Sequence, residues 1–559
     1  MMPGLGWAAA VALALQHPET IARVLAADTA RPVARARSAQ DAFERSRRFQ
    51  LPVSTSGGGR CDERIGRFCY WYDDGDTTLP AEPEPIRTSR DRLLATLALA
   101  QTDRPDSDWL VGQRVRYLIE QAELDSAIAV ALRCGATAWW CDALGGMALH
   151  AAERFPEADA AFRVALAAMP EPIRCDWTDW TMAFDDQLAR RSKAADCVER
   201  AALADSAFWL GQPLLTRPGN DLRTEFYSRR VMASLHGAAR SPHLIPWGRD
   251  MEELMLRYGW STRFSRSDPG LRTLDQPSVI GHQRSPAYHF FPLVGDGSAS
   301  AAWRWDPLPA RPRSRYAPTY ATRFRDVDRF QIARFPRGDS TTIVGILDPA
   351  VDTAVAGRPT DLRLAAATAP DAIVVAATDS AGSGALVLAV AGDPAIVSVE
   401  ASTRGGRHFL RGRIGLDPVD RSAPLLVSDP LLFEPGPELP AGLDQAAARA
   451  LPSTRFSRAR PVGVYWETAG GTGDSVSVSV SVLPTRRGLL GRLGEGLSVV
   501  KRKAPLTLQW QAGPGAANVT GRAVELDLGR LRPGKYLLRL DARAGGTVAT
   551  ALRTIELIP

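Results

Sequence analysis

The hydrophobic period of this chain changes partway along it, and that change constrains the fold more than any motif does. From about Ser89 to Leu203, apolar residues, mostly Ala and Leu, recur at helical spacing with few Gly or Pro. From Phe330 onward the spacing becomes two. It is visible in Phe330-Gln331-Ile332-Ala333-Arg334-Phe335 and in Thr342–Ile346, and it is strictest in Ser475–Val482, where Ser and Val alternate without a break. A period of two places alternate side chains on opposite faces of a strand, and turn signals at intervals of about 8–12 residues pair such strands antiparallel. The expected fold class is therefore a multidomain α+β chain: N-terminal α-helical hairpins, a mixed α/β module, then two antiparallel β-sandwich domains. Its 559 residues leave room for that many cores.

Punctuation sets the expected boundaries. Residues 1–30 read as a signal segment, because Met1–Leu15 is apolar and Val24–Ala27 offers small residues to a peptidase. A short amphipathic helix is the alternative, and the stretch is too short for a stable transmembrane anchor. Residues 31–88 form a Cys-containing segment ending in the Pro-rich linker Pro80–Pro85. Helical repeats fill 89–204 and the mixed module 205–325. A first β-sandwich spans 326–434, a Pro/Gly/Ala-rich linker with room for a short helix 435–454, and an Ig-like β-sandwich 455–559.

The six cysteines fall into local pairs, Cys61 with Cys69, Cys134 with Cys141 and Cys175 with Cys197. None has Cys-x-x-Cys spacing and none precedes a His as haem attachment requires, so the pattern points to disulfides rather than to metal. Paired cysteines fit an oxidising compartment. Export to the periplasm or exterior is expected, with a cytoplasmic protein carrying free thiols as the alternative.

The net charge of +6 arises from 68 basic against 62 acidic residues, and only four of the basic ones are Lys (193, 501, 503 and 535). With 45% hydrophobic residues and charges of both signs interspersed, the chain is neither disordered nor a nucleic-acid binder, which would gather its cations on one face between aromatics. The densest basic cluster, Arg486-Arg487 to Arg492 and then Lys501-Arg502-Lys503, reads as a solvated hairpin loop. An anionic surface or polymer as its partner is the alternative, and membrane-surface or cell-wall proximity goes with it.

Two resemblances rest on particular residues. Gly112 and Gly146 are 34 residues apart, as are Ile128 and Phe162, and Ala131 and Ala165. With Trp109, Ala127, Trp139/Trp140, Ala158 and the closing Pro170, this pattern resembles tetratricopeptide repeats, whose small residues let paired helices approach. A third unit from Ile173 has Trp180 where the Gly would stand and reads as a cap. Such arrays bind peptides or partner domains, so a protein partner is expected, an intramolecular brace being the alternative. Further on, Phe208-Trp209-Leu210, Pro218–Asp221, Glu225–Val231, Pro246-Trp247-Gly248-Arg249-Asp250 and Glu253–Gly259 occur in the order of the GWxTD domain of bacterial exported proteins. Pro246 replaces the family's Gly, Arg249 its Thr, and Trp260 follows Gly259 where Pro is usual. The resemblance implies an exported envelope protein and a strand ending at Tyr258-Gly259. It singles out Trp247, Asp250, Arg257, Tyr258 and Gly259, and it brings no assigned activity with it.

Catalytic patterns are thin. His-Glu-x-x-His and Gly-x-Ser-x-Gly are missing. Gly529–Tyr536 has P-loop spacing, but Tyr536 stands where a Mg²⁺-binding hydroxyl is needed, and a strand follows instead of a helix. The seven His are scattered. No catalytic residue, cofactor or metal ligand is expected. The expected function is non-catalytic binding or scaffolding in the bacterial envelope. The alternative is a hydrolase-class envelope enzyme with its site between the GWxTD-like module and the first β-sandwich, where Arg249, Asp250, Arg257, His282 and Tyr288 would converge.

Overall fold

The computed structural model describes residues 18–54, 63–70, 80–183, 186–267, 278–282, 318–353, 355, 360–369, 372–377, 384–403, 406–470, 476–485, 506–512 and 519–559. Met1–Leu15, Cys61 and Tyr288, named above, lie outside these residues, as does the whole basic cluster from Arg486 to Lys503. The fold is multidomain α+β, helical hairpins followed by antiparallel and mixed sheets. It divides into two compact units. One carries the helices up to Tyr258 and the strands up to His282, and the other joins Leu214–Arg217 to Tyr320–Pro559.

The first unit runs α1 (Pro18–Gln50), β1 (Val53–Ser54), β2 (Glu63–Ile65), β3 (Phe68–Tyr70), α2 (Glu84–Asp103), α3 (Asp108–Glu120), α4 (Leu124–Leu132), α5 (Ala138–Ala151) and α6 (Phe155–Ala168). Then come α7 (Glu171–Trp177), α8 (Asp186–Ala194), α9 (Cys197–Gly211), α10 (Asp221–Gly237), α11 (Arg249–Tyr258), β4 (Arg263–Ser267) and β5 (Val279–His282). Local chemistry sets the helix starts. The side chains of Ser107, Asp196 and Asn220 accept from orphan amides of α3, α9 and α10, and Pro opens α2, α6 and α7.

Two hairpins, α3–α4 and α5–α6, share one turn. Ala122 (φ 65°) and Glu153 (φ 59°) sit in the left-handed region, and the next amides, of Glu123 and Arg154, donate back to Leu118 and Leu149, each at 2.9 Å. A side chain in that region costs about 1 kcal/mol that glycine avoids. Ala122→Gly and Glu153→Gly are each expected to raise stability by about 0.5–1 kcal/mol in urea unfolding. A loss instead would show that the side chains support these turns.

The repeat positions are packed inside. A Cβ added to Gly146 would lie 2.9 Å from the Phe162 ring, and one on Gly112 2.5 Å from Leu235. Ala131, Ala158, Phe162 and Ala165 are buried, and Pro170 precedes α7. Trp180 fills the core of the third unit, stacked on Phe226 at 3.7 Å. Cys134–Cys141 and Cys175–Cys197 are disulfides with Cα atoms 5.6 and 5.3 Å apart, and Cys69 is also disulfide-bonded.

Two elements differ from expectation. Residues 31–50, read as part of an irregular segment, belong to α1. Its buried positions Ala36, Gln40, Phe43, Glu44 and Arg47 have helical spacing, but three of the five are polar, so no apolar stripe announces the helix. The strand implied before Tyr258-Gly259 is instead α11. Gly248 is its N-cap, Asp250 and Glu252 lie in its first turn, and Met251, Met255, Leu256 and Tyr258 form its buried face.

The second unit holds two sandwiches. In the first, the sheet β10-β9-β12-β13-β6 faces β11-β8-β7 across a core that includes Ile343, Leu364, Leu388, Val397, Val399 and Leu410. Here β6 is Arg323–Asp326, β7 Phe330–Arg337, β8 Ser340–Leu347 and β9 Thr360–Ala369. They are followed by β10 Ala372–Ala377, β11 Leu386–Ala391, β12 Ile396–Thr403 and β13 His408–Gly415. The buried Glu400 of β12 accepts from the backbone amides of Leu215 and Thr216 at 2.8 and 3.1 Å, which fastens Leu214–Arg217. In the second sandwich, β14 (Leu425–Val427), β15 (Leu431–Phe433) and β20 (Val519–Leu526) pair with β17 (Val462–Gly470). The facing sheet is β16-β22-β21-β18-β19, from Arg455–Ser457, Thr547–Ile558, Gly534–Ala544, Val476–Pro484 and Leu506–Ala512. Residues 435–454, expected as a linker, contain α12 (Leu443–Ala448), whose Leu443, Ala446 and Ala447 are buried beside Phe335, Phe433 and Tyr465. Gly534-Lys535-Tyr536 of the P-loop-like stretch opens β21, a strand.

Candidate functional site

The five sequence blocks between Phe208 and Gly259 converge in the first unit. Asn220 caps α10 with its side-chain oxygen while its Nδ2 donates to the carbonyl of Phe208 at 2.9 Å, so the first two blocks are tied together. From α10, Glu225 reaches in two directions. Its Oε1 takes the Arg229 Nε–H at 2.5 Å, and its Oε2 meets His150 Nε2 at 2.6 Å. Arg229 continues the chain by donating from Nη1 to the carbonyls of Leu256 and Arg257, at 3.0 and 2.8 Å. It thereby satisfies acceptors that the end of α11 leaves unpaired. Gly259 (φ 84°) ends α11 there, and a Cβ on it would press on Arg229 at 3.3 Å.

Burial raises the pKa of Glu225, but Arg229 and His150 outweigh it and hold the carboxyl down to about 2. Thr224 hydrogen-bonds the other ring nitrogen of His150 at 2.8 Å. Thr224, His150 and Glu225 thus have the order of a nucleophile, a base and an acid. Thr224 is fully buried and His150 is 3% exposed, so no substrate reaches the hydroxyl. The cluster ties α5, α10 and α11 together.

The far side of α11 grips the β2–β3 hairpin. Arg67, in its turn, donates bidentately to Asp250, from Nε to Oδ2 and Nη2 to Oδ1, both at 2.7 Å, and Nη2 also donates to the Pro246 carbonyl. These hydrogen bonds from Arg67 lower the Asp250 pKa. The preceding Gly66 has φ +52° and lies against Asp250, with 2.5 Å between the position of an added Cβ and the Asp250 Cβ. Only glycine fits both demands. Tyr258 stacks on Tyr70 at 3.6 Å and donates its hydroxyl to Glu63, which also takes Arg257 at 3.3 Å. Trp247 packs on Gly237 and the His236 ring. Three of the residues singled out in the sequence, Asp250, Arg257 and Tyr258, thus anchor a hairpin that contains Cys69. Asp250→Ala is expected to speed amide exchange across Ile65–Cys69 while exchange in α10 stays unchanged. Equal acceleration in both would mean that Asp250 supports the whole unit.

Of the residues named for an enzyme, Tyr288 lies outside the described residues. Asp250 and Arg257 are engaged by the hairpin, and His282 hydrogen-bonds Ser265 at 2.6 Å, where Ser265 is fully buried. Among the described residues no three His, Cys, Asp or Glu side chains are placed to hold a metal ion, and no helix is long and apolar enough to cross a membrane.

In the second unit, an opening that the sequence reading missed lies at the side of the C-terminal sandwich. A cavity of about 360 Å³ is lined by Leu508, Gln509 and Trp510 of β19 and by Arg522, Ala523 and Val524 of β20. Parity could have found it, because Arg522 falls on the same alternate positions as Val524 and Leu526, the inward ones.

No family model matches the chain, and no curated protein matches it. Solved structures similar over part of it include a biofilm-associated protein BSP domain, 13% identical, covering 41% of this chain and 29% of that one with a TM-score of 0.21. A Salmonella alpha-2-macroglobulin mutant is also 13% identical, covering 42% of this chain and 16% of that one with a TM-score of 0.15. The chain thus aligns with less than a third of either neighbour's length, and likenesses this slight carry no argument about function.

Proposed function

We propose that this chain is a non-catalytic binding and scaffolding protein of the bacterial cell envelope that uses its helical repeats and β-sandwiches as surfaces. One observation carries the reading. Leu99, Leu132, Val164 and Val198 are exposed by 55–79% and stand 33, 32 and 34 residues apart, on α2, α4, α6 and α9. Single exposed apolar side chains are ordinary, whereas a series repeating with the helical hairpins gives a partner protein regular anchor points. The close approach of Gly146 to Phe162 supports the tetratricopeptide resemblance, and the convergence around α11 supports the GWxTD one. The disulfides Cys134–Cys141 and Cys175–Cys197 support export.

Two measurements test this in the native host. Protein alkylated under denaturation without reduction should carry no label on those four cysteines, and full labelling would sink the envelope assignment. A photo-crosslinking residue at Leu132 should yield a discrete protein adduct that the same residue at the exposed Arg530 does not. Identical outcomes at both positions would remove the helical surface from the proposal.

A further inference from the structure

The opening in the C-terminal sandwich combines features that a structural edge does not need. Strands β19 and β20 end their respective sheets, so two edges face each other across the mouth of the core. Registers place Trp510 opposite Val478 and Arg522 opposite Trp466, so both side chains share the inner faces with core residues. Arg522 is half-buried. Its Nη1 donates to the Thr468 hydroxyl at 2.6 Å, and no carboxylate pairs with it among the described residues. Beside it, the fully buried Trp466 has an indole N–H without an acceptor among the described residues, and its ring lies 5.8 Å from Trp510. A half-buried guanidinium without an anion is costly until one arrives. Burial also lowers the Arg522 pKa, as expected for a guanidinium lacking an anion.

We propose that this mouth binds hexuronate residues of an acidic polysaccharide, the carboxylate on Arg522 and the flat sugar face on Trp510. The volume falls at the small end of the roughly 300–1,000 Å³ usual for ligand sites, which suits one or two rings. A guanidinium offers a carboxylate two parallel donors, and an indole offers an apolar face to the C–H side of a pyranose. Charge along the chain agrees. The sequence joining β18 to β19 carries Arg486, Arg487, Arg492, Lys501, Arg502 and Lys503 against the single acid Glu495, a charge balance that suits a polyanionic ligand. An acidic peptide adding as a strand is disfavoured, since an inward-pointing charge on an edge strand is a device against strand addition. The site gives a ligand class to the sandwich part of the proposed function and rests on that part alone.

Calorimetry of the full chain with oligogalacturonate is the test. Saturable binding is expected, weakened at least tenfold by Arg522→Gln and by Trp510→Ala, partly restored in Arg522→Lys, and lost with fully methyl-esterified oligogalacturonate. Circular dichroism confirms that each variant is folded, and Trp510→Phe serves should Trp510→Ala not fold, with less than tenfold weakening expected. Absence of saturable binding overturns the proposal. So does binding unchanged in Arg522→Gln, which would assign it to the loop cations. Equal, Arg522-dependent binding of polyglutamate would make this an acidic-peptide site and overturn it too. None of these failures touches the alkylation or cross-linking results, so the two proposals fail separately.

Discussion

Arg229→Leu is expected to lower the stability of the helical unit by about 3–5 kcal/mol, because it strands a buried carboxylate. Glu225 would keep only His150, and the carbonyls of Leu256 and Arg257 would lose their donor. The double variant Glu225→Gln with Arg229→Leu should recover part of that loss, since the uncompensated charge goes with it. Acid offers a second route to the same cluster. The folded pKa of Glu225, about 2, lies below its ordinary 4.5, so the folded state binds this proton more weakly than the unfolded state. The stabilisation is therefore fully present above about pH 5 and drains away as the pH falls through 4.5 towards 2. At about 1.4 kcal/mol per pH unit it amounts to about 3 kcal/mol. Urea unfolding followed by the helical circular dichroism signal should show the wild type losing that much more than Glu225→Gln between pH 7 and pH 2. Parallel pH profiles would show that the ion pair contributes nothing net.

How much of this was legible in the sequence depended on what each element buries. Where a face is apolar, its period carried the information. The Val residues of β18 alternate into the core just as Ser475–Val482 suggested, and β17, β21 and β22 appear where alternation placed them. Local spacing was equally informative for Cys134–Cys141 and Cys175–Cys197, since neighbours on a short loop meet without help from the rest of the fold. What stayed hidden was polar. The reach of Arg229 to the end of α11 and of Arg67 to Asp250, 183 residues away, has no periodic signature. The GWxTD resemblance marked Asp250, Arg257 and Tyr258 as a group, but the hairpin they hold comes from an irregular segment that nothing in the sequence connected with them. In α11 the period was readable, because Met251, Met255 and Tyr258 repeat at helical intervals. There the family pattern, which implied a strand, was the poorer guide.

The same reasoning makes α1 the place where charge replaces hydrophobicity as the fastener. Arg47, Arg90 and Arg116 meet Glu44 and Glu120 between α1, α2 and α3, with Glu82 completing the balance of charge on Arg90. The two buried carboxyls are not equivalent. Burial pushes Glu44 up despite Arg47 and Arg116, whereas at Glu120 the attraction of Arg47, Arg90 and Arg116 outweighs burial and holds the carboxyl down. Ionised Glu44 is thus at a disadvantage in the fold, and ionised Glu120 is favoured by it. A neutral amide at position 44 removes an unfavourable charge and can still accept the Tyr117 hydroxyl, which now donates to Glu44 at 2.6 Å. A neutral amide at position 120 leaves Arg47 and Arg90 without their shared anion. Glu120→Gln is accordingly expected to cost about 3 kcal/mol or more and Glu44→Gln about 1 kcal/mol or less, while Glu44→Ala, which also vacates the hydrogen-bond site, falls between them. Urea unfolding of the three variants at neutral pH decides it. If Glu44→Gln proved the more damaging of the two amides, attraction to the arginines rather than burial would govern Glu44, and α1 would be held by that pair above all.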